Sequence, residues 1–191
     1  MSAPVEHSLN QTARIVLAMI AEGHRTGYAI KAEIERSTRP FWGASVGGIY
    51  PELRRLTAAG LVTARDNPRG EATRHHYDLT PEGHRVLRRW LTGPGEPVLE
   101  LRDEALLRLR FAGVLDPDEQ LEVVRRMRAL HTDRATALQA QLSAGDFDDP
   151  FHRMTLEFGL GWNQWATDWC AAAEHRLSKQ LTDWLKRAIQ Q

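Results

Sequence analysis

Apolar residues recur along this chain at helical spacing almost throughout, and in one short stretch the period drops to two. Leu9, Ala13, Val16, Leu17 and Ile20 form one stripe over residues 9–21, behind the capping candidate Ser8, and Gly23 fits the end of that helix. A second helix opens at Thr26 or Gly27 and runs to about Ser37, with Tyr28, Ile30 and Ile34 as its apolar members. Pro40 makes residues 39–43 a loop. A third helix begins somewhere from Ser45 to Gly48, close to Pro51, whose missing amide proton costs least in a first turn. Its residues Ile49, Leu53 and Leu56 share one side; the opposite side carries Gly47, Pro51 and Arg54, flanked by Tyr50 and Arg55. Gly60 ends it. Residues 61–65 and 73–79 then read as two strands around the turn formers Asn67, Pro68, Arg69 and Gly70. In the second strand Thr73, His75, Tyr77 and Leu79 lie on one side, Arg74, His76 and Asp78 on the other. Thr80 caps a fourth helix with Pro81 at its first position and Val86, Leu87, Trp90 and Leu91 as its apolar side.

Gly93-Pro94-Gly95-Glu96-Pro97 is the natural boundary between two halves. Beyond it a helix is expected over residues 99–111, ending at Gly113. Asp116-Pro117-Asp118-Glu119 is a strong start signal for the next, which carries Leu121, Val124, Leu130, Leu138 and Leu142 and stops near Gly145. A loop over 146–150 leads to a last helix in which Phe151, Met154, Phe158, Trp162, Trp165, Trp169 and Ala172 recur at spacings of three and four, extended by Leu177, Leu181, Trp184 and Leu185. Gly159 and Gly161 inside it cost about 1 kcal/mol each against alanine and point to close helix packing. The fold class is therefore mainly α: a winged helix-turn-helix, with a two-stranded β-wing, over residues 1–92, a linker over 93–98, and about three helices over 99–191.

Composition sharpens this picture in two places. The whole chain of 191 residues has zero formal charge, but residues 1–92 hold 13 Lys/Arg against 9 Asp/Glu, a surplus of +4, and the remainder 12 against 16, or −4. A basic half is joined to an acidic one. The single cysteine, Cys170, excludes an internal disulfide and every Cys-rich zinc motif, and is expected as a small buried helical residue. No apolar run approaches the ~20 residues of a membrane helix, and no basic-plus-apolar leader opens the chain, so a cytoplasmic location is expected.

A helix with a small leading turn and arginines behind it suits a DNA major groove, because small residues admit the backbone and arginines reach phosphates or guanine edges. On this reading Tyr50 meets a base edge or thymine methyl, Arg54 a guanine edge or phosphate, and Arg55 a phosphate. Ser45 either caps the helix or touches DNA. Arg69, Arg74 and His76 either grip the backbone or minor groove, or are the solvated residues of a hairpin. Lys31 is a weaker phosphate candidate, and Tyr28 is expected between helices rather than on DNA.

Ile15 to Glu22, Gly27-Tyr28, the segment 45–60, Leu61-Val62 and Tyr77-Asp78-Leu79-Thr80-Pro81-Glu82-Gly83 together resemble a PadR-type transcriptional regulator. The pairing of Tyr-Pro-x-Leu-x-x-Leu with Leu-Thr-x-x-Gly is specific, and from Leu99 through Phe111-Ala112-Gly113 onward the chain resembles the helical dimerisation domain, of the virulence-activator C-terminal type, that follows in many members. Thr26 stands where the family usually has His, and Val46-Gly47-Gly48 where Pro-Gly-Thr/Ser is usual. The resemblance implies a homodimeric repressor that binds a palindromic double-stranded operator, needs no cofactor, and leaves its operator when a small molecule shifts the two DNA heads. Phe158, Trp162, Trp165 and Trp169 are the expected dimer contacts, although the stripe is equally read as packing within its own domain. A sharper reading makes Phe111, Trp162 and Trp165 the lining of a crevice for a planar effector.

Other chemistry is thinly supported. Gly43-Ala44-Ser45-Val46-Gly47 matches the hydrolase nucleophile pattern, but no buried strand precedes it. His75, His76 and His84 match no zinc spacing, while His131, His152 and His175 are scattered over helices, where a satisfied structural histidine is commonest. Two further classes stay open: a winged helix used for protein interaction without DNA readout, and a small-molecule-binding or enzymatic helical protein.

Overall fold

The computed structural model describes residues 9–38, 48–66, 75–94, 102–145, 147 and 149–189, with 183–189 described as backbone. In chain order it holds α1 (Gln11–Ala21), α2 (Gly27–Glu33) continued by a π turn at Ile34–Thr38, α3 (Ile49–Ala58), β1 (Val62–Asp66), β2 (His75–Leu79), α4 (Pro81–Thr92), α5 (Glu104–Phe111) with a 3₁₀ turn at Ala112–Val114, α6 (Pro117–Ala144) and α7 (Pro150–Ile189). The chain falls into two compact units, Met1–Pro97 and Val98–Gln191. Ser8, Ser45, Gly47, Arg69 and Arg74 lie outside the described residues, as do the side chains of Trp184 and Leu185.

In the first unit each helix boundary has a local cause. The Asn10 side chain accepts from the Ala13 N–H at 2.8 Å and caps α1, and the Thr26 hydroxyl accepts from Ala29 N–H at 3.1 Å to cap α2. Gly23 and Gly60 end α1 and α3 at φ +96° and +69°, a left-handed conformation that disfavours any Cβ. The Thr80 hydroxyl accepts from Gly83 N–H at 3.0 Å and donates to the Gly60 carbonyl at 2.7 Å, so one side chain starts α4 and holds the end of α3. The core gathers Val16, Leu17, Ile30, Leu53, Leu56 and Leu61, all essentially inaccessible to solvent. Each such side chain contributes on the order of 1.5–3 kcal/mol. The antiparallel wing pairs Val62 with Leu79, Ala64 with Tyr77 and Arg65 with His76. It is tied to the turn between α1 and α2: the Tyr77 N–H donates to the Arg25 carbonyl at 2.8 Å, and Arg25 pairs with Asp78 at 3.0 Å.

Three expectations need correcting here. Tyr28 is not packed between helices but is 75% exposed, because Gly27 and Ile30 of α2, with Ile34 of the π turn, take the inward side. Trp90 and Leu91 also stay outside: α4 turns Gly83, Val86 and Leu87 inward, and Trp90 is met by the Arg14 guanidinium 5.9 Å above its ring.

The second unit is an α6–α7 hairpin with α5 beside it. Asp103 caps α5 by accepting from Leu106 N–H at 3.1 Å, so that helix begins at Glu104, later than expected. The Asp116 N–H donates to the Glu119 carboxylate at 3.1 Å where α6 begins. Between α6 and α7 lie Val124 and Met127 against Cys170 and Ala173, with Leu156 and Ala166 also buried. A Cβ on Gly159 would come within 3.4 Å of Leu138, so the helices approach closely there. Gly161 faces open space, against expectation. Leu130 is partly exposed, and Met127 and His131 take the inward positions of α6 in its place. His131 Nδ1 donates to Asn163 Oδ1 at 2.9 Å, since the Asn163 amide NH₂ already donates to the Gly159 carbonyl at 2.8 Å. The buried Nε2 of His131 has no partner among the described residues, so this histidine is only half satisfied. Arg125 and Arg128 grip opposite oxygens of Glu174 at 2.8 and 3.1 Å across the seam. No described helix is long and apolar enough to cross a membrane.

Candidate nucleic-acid interface

The third helix presents two unlike sides. Ile49, Leu53 and Leu56 are buried in the core as expected, and with them goes Glu52, a carboxylate that is 6% exposed. A buried carboxylate needs donors to offset its desolvation. The Asn10 amide donates to it at 3.1 Å, and Arg55 donates through Nε at 2.9 Å and a terminal nitrogen at 2.7 Å. Asn10 therefore caps α1 and braces α3 with a single side chain. Its link to Glu52 spans 42 residues, a separation no local pattern reveals; the Glu52–Arg55 spacing of three is the legible half.

On the outer side Tyr50, Pro51 and Arg54 are exposed. Arg54 has no ion-pair partner among the described residues, whereas Arg55 is charge-compensated by Glu52. The structure thus distinguishes the two arginines by their charge compensation. Behind them stands Tyr77 of the wing, a residue absent from the sequence-derived candidates. Burial holds its phenol above its ordinary pKa, neighbouring Tyr50 adds to the rise, and Arg54 opposes it. Tyr77 therefore lies within electrostatic reach of both outer-side residues of α3.

Lys31 is exposed on α2. His76 is partly exposed on β2 and stands opposite Arg65 of β1, so Arg65 adds a cation that the pattern of the second strand alone passes over. His75 faces the other way and contacts Asp66 at 3.0 Å, an ion pair only when the imidazole is protonated. In the second unit Phe158, Trp162, Trp165 and Trp169 are all exposed, at 78, 48, 57 and 38%. Phe158 is the most open of the four, and the three tryptophans are partly covered within their own unit. Trp162 and Trp165 come together with ring centroids 5.3 Å apart; Phe111 instead carries the Arg110 guanidinium 5.4 Å over its own ring.

A helix-turn-helix whose second member is backed by a buried brace and flanked by a β-wing defines the winged-helix class. The PadR-like transcriptional regulator family matches residues 16–89, and the virulence activator α C-terminal family matches residues 101–178. The negative transcriptional regulator PadR of Bacillus subtilis (strain 168) is 30% identical over 130 residues, covering 67% of each chain. Two solved structures of Bacillus subtilis PadR, one in complex with operator DNA and one with p-coumaric acid, superpose with TM-scores of 0.78 and 0.73. Each is 23% identical and covers 88% of this chain and 99% of its own, a likeness that concerns the fold. The chain belongs to the PadR-like family of transcriptional regulators, and its first unit is the DNA-binding winged helix of that family.

Proposed function

We propose that this chain acts as a homodimeric repressor, gripping a palindromic operator through paired α3 helices and releasing it when a small planar molecule binds. The observation that carries this reading is the outer side of α3, where Tyr50, Pro51 and Arg54, the last with no ion-pair partner among the described residues, face solvent from a helix clamped on its other side. Arg54 is assigned a guanine edge or phosphate, Tyr50 a base edge or thymine methyl. Arg55, already held by Glu52, presents its remaining donors to a phosphate. Lys31, Arg69 and Arg74 are assigned as further cationic contacts and His76 as a wing contact, with Ser45 and Gly47 just ahead of α3 in the sequence. The division of labour runs with the sequence boundaries: DNA over residues 1–92, a linker over 93–98 and dimerisation over 99–191.

Pairing is required by the charge. A module of net +4 binds DNA weakly at physiological salt, and two linked modules raise the effective affinity. The exposed row Phe158, Trp162, Trp165 and Trp169 is assigned to the seam between two copies. Repression and release draw support from the relative named a negative regulator and from the one solved with p-coumaric acid. The adjacent Trp162 and Trp165, with Phe111, are assigned to a planar ligand of that kind, and the cytoplasm is where such a regulator meets its operator.

Selection of bound fragments from random duplex DNA tests the reading. Enrichment of an inverted repeat with half-sites about 34 Å apart, or a multiple of that, is expected, together with affinity that falls as salt rises. Failure to enrich any sequence, with no salt-dependent duplex binding, would leave the winged helix as a protein-interaction module.

A further inference from the structure

Gly27 opens α2 and is buried, and its backbone has no need of glycine, since the positive-φ glycines among the described residues are Gly23 and Gly60. What it needs is room. A Cβ built on Gly27 would lie 2.5 Å from Tyr50 Cε1, 3.1 Å from Cζ and 3.2 Å from Cδ1. The contrast with Gly83 is instructive: there the obstacle is the Leu61 backbone carbonyl, which cannot move without shifting the fold. At Gly27 the obstacle is an aromatic ring at the end of a side chain, one that can swing aside. A methyl group at position 27 would therefore cost the fold little and would move Tyr50.

We propose that Gly27 is a positioning residue for operator recognition: its missing side chain leaves a seat on α2 into which the Tyr50 ring settles, fixing where that ring stands on the exposed side of α3. The inference rests on the reading of Tyr50 as a DNA contact. The ring lies with one side against Gly27 and leaves 51% of the residue in solvent, so it is held and yet available. A side chain ordered before binding loses less rotamer freedom on contact, which is the advantage of seating it. Tyr50 and Arg54 both act electrostatically on the buried Tyr77 phenol, so displacing the ring also alters the charge surroundings they share.

The test compares Gly27→Ala, Tyr50→Ala and the double variant for affinity to the selected operator. Gly27→Ala is expected to weaken binding about tenfold, within the range of a lost base contact, Tyr50→Ala at least as much, and the double variant no more than Tyr50→Ala. With three tyrosines in the chain, 3-fluorotyrosine labelling adds a DNA-free readout: the ¹⁹F resonance of Tyr50 should shift in Gly27→Ala. If Tyr50→Ala loses affinity while Gly27→Ala binds as the parent, or the two losses multiply, the seat is refuted and the Tyr50 reading stands. An unshifted Tyr50 resonance refutes it as well. If Tyr50→Ala binds normally, the contact reading and the seat fall together. Should Gly27→Ala melt far below the parent, recovery in the double variant supports the collision with the ring, and no recovery refutes it.

Discussion

Leu17, Ile30, Leu53 and Leu56 are sealed inside the first unit, whereas the sealed apolar positions described on α7 in the second are Leu156, Ala166, Cys170 and Ala173, with Phe158, Trp162 and Trp165 about half or more exposed. The same chain thus solves burial in two ways. The first unit wraps its large core side chains in four helices and a hairpin. The second brings α6 and α7 close through small residues, which limits the apolar area the hairpin can hide, and leaves its largest rings outside. An exposed row of large rings is the kind of surface that an interface covers. On the function proposed above, the half that reads DNA hides its large side chains within itself, and the half beyond it offers its rings to a second copy.

Mutations can break or sharpen that contrast. The largest effect should come from Leu53→Ala, a fully buried position, at roughly 2–5 kcal/mol of the first unit's stability by chemical denaturation. A loss under about 1 kcal/mol would mean that this core relaxes readily and is less complete than it looks. Next, Trp165→Asp should convert dimer to monomer in light scattering, since a central aromatic at an interface is worth upward of ~2 kcal/mol. An unchanged mass would place the seam elsewhere and dissolve the contrast. Arg54→Ala should cost ~1–3 kcal/mol of operator binding and leave the dimer intact; affinity within about twofold of the parent would remove α3 from its assigned role. The smallest effect belongs to Glu174→Gln. The Arg125 hydrogen bond, joined by Arg128, holds the Glu174 carboxyl below the ordinary carboxylate value. A depressed folded pKa gives stability above the ordinary pKa that fades as pH falls through the depressed value. The variant should therefore melt slightly below the parent at neutral pH, and the gap should close in acid.

Much of the fold was legible because its signals are local. Gly23, Gly60, Thr80-Pro81 and Asp116-Pro117 punctuate the chain where they were expected to, and the buried triplet Ile49, Leu53 and Leu56 follows from spacing alone. What escaped is long-range. Nothing near Asn10 announces Glu52, and nothing near Gly27 announces the Tyr50 ring. Tyr28 departs from its expected place because an aromatic near Ile30 counts as apolar in any periodicity, whereas the inward side here is taken by Gly27, Ile30 and Ile34. On α7 two stripes coexist a few residues out of phase. Large rings dominate any hydrophobicity count, so the row of small residues that meets α6 was the harder one to see.

The His131–Asn163 pair adds a geometric consequence. Sliding α7 by one helical turn, about 5.4 Å, would carry Asn163 away and strand the imidazole with neither nitrogen matched. The hairpin thus has a detent, a single notch at which it clicks into register. Because the outer tryptophans ride on the same rod as Asn163, that notch also sets the height at which they stand, and any visitor meets them at one fixed elevation.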